Sequence, residues 1–116
     1  MYQVYLTDYF LRQLKPHIKK FRNLEKDLIE SLQVFSPETS DYLGHKLYKI
    51  RLKSSDVPKG KSKSFRMIVF VLEIKKVLTP INIYFKSDRK DISEKEIEGH
   101  LENVLIEIRK RKSLSK

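Results

Sequence analysis

The chain has 116 residues, 40% of them apolar and 34% charged, and a net charge of +10 from 25 Lys and Arg against 15 acids. That length favours one domain around a single core, and that charge favours polyanionic partners without saying anything about fold. The absence of cysteine excludes disulfides and thiol chemistry, and three scattered histidines argue against a zinc site, so no metal and no cofactor is expected.

The opening MYQVYLT reads as a strand over about residues 2–7 rather than a leader. No apolar run approaches the ~20 residues that span a bilayer. A soluble cytoplasmic protein with no membrane partner is therefore expected. Thr7 or Asp8 caps a first helix carrying Phe10, Leu11 and Leu14, which Pro16 is expected to break or kink. Ile18, Phe21, Leu24, Leu28, Leu32 and Phe35 then step by three or four and predict a second helix ending near Phe35, before Ser36-Pro37. Residues 36–45 read as a loop.

Strands are predicted at about 46–53, 65–73 and 77–86. In the first, Tyr48, Ile50 and Leu52 alternate with Lys49, Arg51 and Lys53, so apolar groups take one face and cations the other. A polar loop containing Lys59, Lys61 and Lys63 leads to FRMIVFVL, with Arg66 near its start. Pro80 in the third strand signals an edge or a bulge. Ser93 and Glu96 match a capping box ahead of a last helix with Ile97, Leu101, Val104, Leu105 and Ile108 on one face. Residues 109–116 hold five of the positive charges and read as a basic, disordered tail, leaving 1–108 as the domain. The expected fold is α+β: β-α-α-β-β-β-α, an antiparallel sheet packed against an N-terminal helix pair and a C-terminal helix.

This order resembles the RelE/ParE superfamily of bacterial toxins from type II toxin–antitoxin systems. The residues that carry the resemblance are YKIRLK at 48–53, GKS at 60–62, FRMIVF at 65–70, IYFKSD at 83–88 and ISEKEI at 92–97. It implies a small toxin held inactive by a cognate antitoxin. RelE-like members cut mRNA on the translating ribosome, whereas ParE-like members inhibit DNA gyrase; an inactive basic RNA-binding remnant is a third reading. The strand cations favour the nuclease.

Metal-free RNA cleavage needs a base for the 2′-hydroxyl, cations for the charge developing on phosphoryl oxygens, and an acid for the leaving 5′-oxygen. By the resemblance, Arg66 matches the central-strand arginine that grips the scissile phosphate, and Lys86 a further phosphate-binding cation. Arg51, Arg66 and Lys86 are therefore the first catalytic candidates, with Tyr84 and His45 for stacking or proton transfer. Lys49, Lys53, Lys59, Lys61, Lys63 and Arg89 are candidates for RNA binding. The best-known RelE-like nucleases also carry a catalytic tyrosine near the C-terminus. Nothing aromatic follows Phe85 here, which leaves the acid and base open among His45, Tyr84 and a lysine.

Overall fold

A computed structural model describes residues 2–52 and 65–114, with side chains as far as Arg111. Its elements are β1 (Gln3–Val4), α1 (Asp8–Lys20), α2 (Leu24–Gln33), a short 3-10 turn at Pro37–Thr39, β2 (Asp41–Gly44), β3 (Leu47–Leu52), β4 (Phe65–Leu72), β5 (Val77–Phe85) and α3 (Glu94–Leu114). The strands form one sheet in the order β1-β5-β4-β3-β2, antiparallel throughout except that β1 runs parallel to β5. The α+β architecture expected from the sequence is thus present, with one strand more than predicted.

Both faces of the sheet are covered, and strand parity decides what lies on each. Phe65, Met67, Val69 and Val71 of β4 pack with Phe10 and Leu14 of α1 and Leu24, Leu28 and Leu32 of α2. The alternate residue Ile68 packs on the other face with Leu47, Ile81, Tyr84 and Val104, against the apolar stripe of α3. β4, paired on both sides, is buried along nearly its whole length, which is why FRMIVFVL reads as a continuous apolar run.

Four expectations change. Pro16 lies inside α1 without ending it. The helix is held on either side of the proline, by buried Phe10 and Leu14 before it and by His17 against the Phe65 ring after it. The stripe from Ile18 to Phe35 belongs to two helices: the chain turns extended at Phe21, whose ring drops between Phe65 and Phe85. Residues 41–44, read as loop, form the edge strand β2, joined to β3 by a tight turn with positive φ at Gly44, His45 and Lys46. Finally, α3 continues to Leu114, over positions read as a disordered tail. Arg111 holds that end down, pairing with Asp8 at 3.1 Å and Glu107 at 3.5 Å and lying over the Tyr5 ring.

Pro80 sits where β5 slips register, between Ile68↔Asn82 and Val69↔Pro80, so the bulge it signalled is present. The capping box also forms. The Glu96 amide donates to Ser93 Oγ at 3.2 Å, and the Ser93 amide donates to Glu96 Oε1 at 3.2 Å. Arg89 adds a two-pronged bond to Glu96 at 2.7 and 2.8 Å, and this bond above all holds the Glu96 carboxyl down at about 2. Ser93→Ala is expected to cost about 1 kcal/mol, read as a lowered midpoint in urea. The Glu96 contribution is present above its ordinary value of 4.5 and is lost as pH falls toward 2.

Candidate nucleic-acid interface

Three adjacent strands bring Arg51, Arg66 and Tyr84 into one row, because Arg51 is the register partner of Arg66 and Arg66 that of Tyr84. Their parity places them on the α3 side of the sheet, on the same face as Lys49. Two arginines directly opposite each other oppose folding. Arg66 is only 7% exposed, with Nη1 donating to the Phe65 carbonyl at 3.4 Å. Burial first, and then Arg51, pull its pKa below the usual arginine value, while Tyr84 opposes them. The guanidinium nonetheless stays charged at neutral pH. A buried cation beside a second cation is a place where an anion is favoured.

Beside the row, Lys49 Nζ donates to Asp91 Oδ1 at 3.0 Å. The same oxygen accepts from the Ile92 amide at 2.8 Å and, at the 3.5 Å limit of a hydrogen bond, from the Tyr84 hydroxyl. The Ile92 amide foremost, with Lys49, lowers the Asp91 pKa, so the carboxylate is ionised. Burial foremost raises that of Tyr84, so the phenol keeps its proton. Asp91 was not singled out by sequence. It lies in the segment between β5 and α3 and reaches Lys49 only through the tertiary fold; its place just before the capping box was the one available signal.

The other sequence candidates fall in different places. Lys86 is half-buried in the turn that follows β5, two residues past Tyr84. His45 is exposed in the β2–β3 turn, six residues from Arg51, and lines a separate hollow of about 310 Å³ with Lys49, Asp91 and Glu94. Arg89 is committed to Glu96 and to the Asp91 carbonyl at 2.9 Å, bonds that staple the start of α3. Lys53, Lys59, Lys61 and Lys63 lie outside the described residues. Among the described residues no group of His, Cys, Asp and Glu is placed to hold a metal ion, and no helix is long and apolar enough to cross a membrane.

One residue pair further along this face, a polar chain crosses the protein. Tyr9 Oη meets His100 Nδ1 at 2.6 Å, His100 Nε2 meets Asn82 Nδ2 at 3.2 Å, and Asn82 Nδ2 donates to Gln13 Oε1 at 2.7 Å. The Asn82 amide is a donor, so His100 Nε2 must accept and the ring must be neutral. Burial accordingly lowers the His100 pKa, and that of His17. The unfolded chain then binds more protons than the folded one below about 6.5, so stability is full above that pH and declines as pH falls through it. Thermal melts of the wild type are expected to drop from pH 8 to pH 5.5, and His100→Gln to lessen that drop.

Compared with known proteins, the chain matches no family model and no curated protein. Solved structures do match. A mutant of the E. coli toxin RelE in the free state is 25% identical, with a TM-score of 0.49 over 71% of this chain and 80% of that one. The isolated E. coli RelE toxin is 20% identical, with a TM-score of 0.49 over 90% of this chain and 99% of that one. The intact E. coli RelBE toxin–antitoxin complex is 23% identical, with a TM-score of 0.46 over 72% of this chain and 94% of that one. At that distance the chemistry has to be carried by this chain's own residues.

Proposed function

We propose that this protein is the toxin of a type II toxin–antitoxin system and that it cleaves mRNA without a metal ion on the translating ribosome, neutralised by a cognate antitoxin. The observation that carries the reading is the row in which Arg51 faces Arg66 beside Tyr84, an arrangement that opposes folding and suits a phosphodiester. The sequence motifs from YKIRLK to ISEKEI supply the toxin part of the reading. An acidic antitoxin segment suits a chain with a charge of +10, and its association is expected to be fast and salt-sensitive.

In the reaction the RNA 2′-oxygen attacks phosphorus, the bond to the 5′-oxygen breaks, and a 2′,3′-cyclic phosphate remains. Arg51 and Arg66, with Lys86 nearby, stabilise the charge that grows on the phosphoryl oxygens. Asp91, ionised, accepts the 2′-hydroxyl proton. Tyr84, protonated, donates to the leaving 5′-oxygen. Their mutual contact at 3.5 Å lets the proton return from Asp91 to Tyr84 and resets the site. The Ile92 amide foremost, with Lys49, keeps Asp91 charged between turnovers.

Ribosomes translating a defined message, incubated with purified protein, test this reading. New 5′ ends inside codons and 2′,3′-cyclic ends upstream are expected. Tyr84→Phe, which removes one hydroxyl from a packed ring, is expected to lower the cleavage rate about 100-fold with an unchanged melting curve. Intact mRNA with inhibition of DNA supercoiling by gyrase would replace the nuclease by the ParE-like reading.

A further inference from the structure

The Asp91 side chain is 67% exposed and lies in the short segment between β5 and α3. A carboxylate so exposed keeps its rotamer freedom unless something holds it, whereas a base has to stay within hydrogen-bond reach of the proton it takes. The residues on either side of Asp91 are clamped to one another. Arg89 donates from Nε to the Asp91 carbonyl at 2.9 Å, and from Nη1 and Nη2 to the two oxygens of Glu96 at 2.7 and 2.8 Å. Glu96 Oε1 also accepts from the amide and the hydroxyl of Ser93, at 3.2 and 3.0 Å. One carboxylate thus ties down the residue two before Asp91 and the residue two after it. Between them Ile92 is buried in the cluster under α3. With the backbone held from both sides, the Ile92 amide and Lys49 Nζ, at 2.8 and 3.0 Å, set Oδ1 beside the Tyr84 hydroxyl.

Resting on the nuclease reading above, we propose that Arg89 and Glu96 are positioning residues for RNA cleavage: their two-pronged pair sets the backbone of Asp91 and so keeps the base between Lys49 and Tyr84, without touching the RNA. The geometry of the guanidinium separates this role from that of a phosphate contact. Glu96 takes its Nη1 and Nη2 prongs, and the Asp91 carbonyl takes its Nε, so neither bidentate edge is left whole for a phosphate. Glu96 sharpens the distinction. Removing its negative charge favours attraction to RNA, but removing its bond to Arg89 releases the base, so binding and rate are expected to part.

The test is cleavage on translating ribosomes by the full chain. Wild type is compared with Arg89→Ala, Arg89→Lys, Glu96→Gln, Asp91→Asn and the double variant Arg89→Ala/Asp91→Asn. Urea titrations give the folded fraction, and fluorescence anisotropy on an uncleavable 2′-O-methyl RNA gives binding. Arg89→Ala and Glu96→Gln are each expected to lower the saturated rate per folded molecule about 10-fold, a part of the ~10²–10⁴ that a positioned base supplies. Arg89→Ala is expected to keep the wild-type RNA affinity and salt dependence, and Glu96→Gln to bind no more weakly. Arg89→Lys, a single point donor, is expected to recover little. In the Asp91→Asn background Arg89→Ala is expected to add no further loss, because it acts through the base. Around Asp91 stand Lys49 of β3, Tyr84 of β5 and Arg89 of its own segment, with His45 and Glu94 lining the same hollow. Loosening Asp91 from the Ile92 amide and Lys49 is expected to move the acid limb of the rate profile to higher pH in Arg89→Ala.

Weaker RNA binding by Arg89→Ala, with a salt slope reduced by about one, overturns the inference and makes Arg89 a phosphate contact. A wild-type rate per folded molecule in Arg89→Ala also overturns it, by confining the pair to stability. Full activity of Asp91→Asn overturns it and leaves the nuclease reading standing, whereas no cleavage by the wild type overturns both.

Discussion

Arg66→Ala is expected to reduce RNA cleavage about 1000-fold and to abolish growth arrest when the protein is induced in a bacterium. The expectation follows from position. Arg66 is the central member of the Arg51–Arg66–Tyr84 row and its buried one, so its charge acts through a partly desolvated surround rather than through bulk water. Arg51 and Lys86 are more exposed, and each alone is expected to matter less. Folding should survive the change, because the like charges of Arg51 and Arg66 no longer oppose each other once the guanidinium is gone. Loss of this buried, hydrogen-bonded side chain is expected to cost about 1–3 kcal/mol, so cleavage is compared per folded molecule. Arg66→Lys restores charge without the planar fork that holds two phosphoryl oxygens, and should recover part of the rate. Cleavage assays alongside urea titrations separate the outcomes. Full cleavage by a folded Arg66→Ala protein would remove this row from the reaction.

Much of this site was legible in the chain because strands carry a period of two. Once 47–52, 65–72 and 77–85 are strands, the parity of Tyr48, Ile50 and Leu52 against Lys49 and Arg51 fixes which side chains face a core and which face outward. Ser93 and Glu96 were equally readable, since a capping box is local. What escaped depends on contacts distant in sequence. Asn23, which takes the N-cap position of α2, is a weak local sign of the break near Phe21; the break exists because the ring finds Phe65 and Phe85. Strand β2 has no alternation of its own and is defined by pairing with β3 across a turn of three left-handed residues, two of them not glycine. Asp91 belongs to the site only because the segment before α3 folds back on Lys49. The reach of α3 beyond residue 108 is set by Asp8, at the other end of the chain.

The neighbour of Arg66 on β4 joins the site to the core. Phe65 is fully buried and sits among His17, Phe21 and Phe85, with ring centroids at 5.1, 5.2 and 4.8 Å. It thereby ties α1, the α1–α2 link and the end of β5 to one point of the central strand. Phe65→Ala is expected to cost about 3–5 kcal/mol, since the lost ring leaves a cavity that three aromatic neighbours cannot collapse to fill. Set against the ~5–15 kcal/mol of a typical domain, that is a large share of the total, and an urea titration should show the midpoint falling with the slope unchanged. Phe65→Leu keeps most of the volume and should cost less than half as much. Because Phe65 and Arg66 point to opposite faces of one strand, loosening the ring also loosens the register that sets Arg66 between Arg51 and Tyr84. Phe65→Leu is therefore expected to lose cleavage rate as well, by more than its loss of folded population accounts for. A rate per folded molecule equal to that of the wild type would show that the row keeps its geometry independently of the packing beneath it.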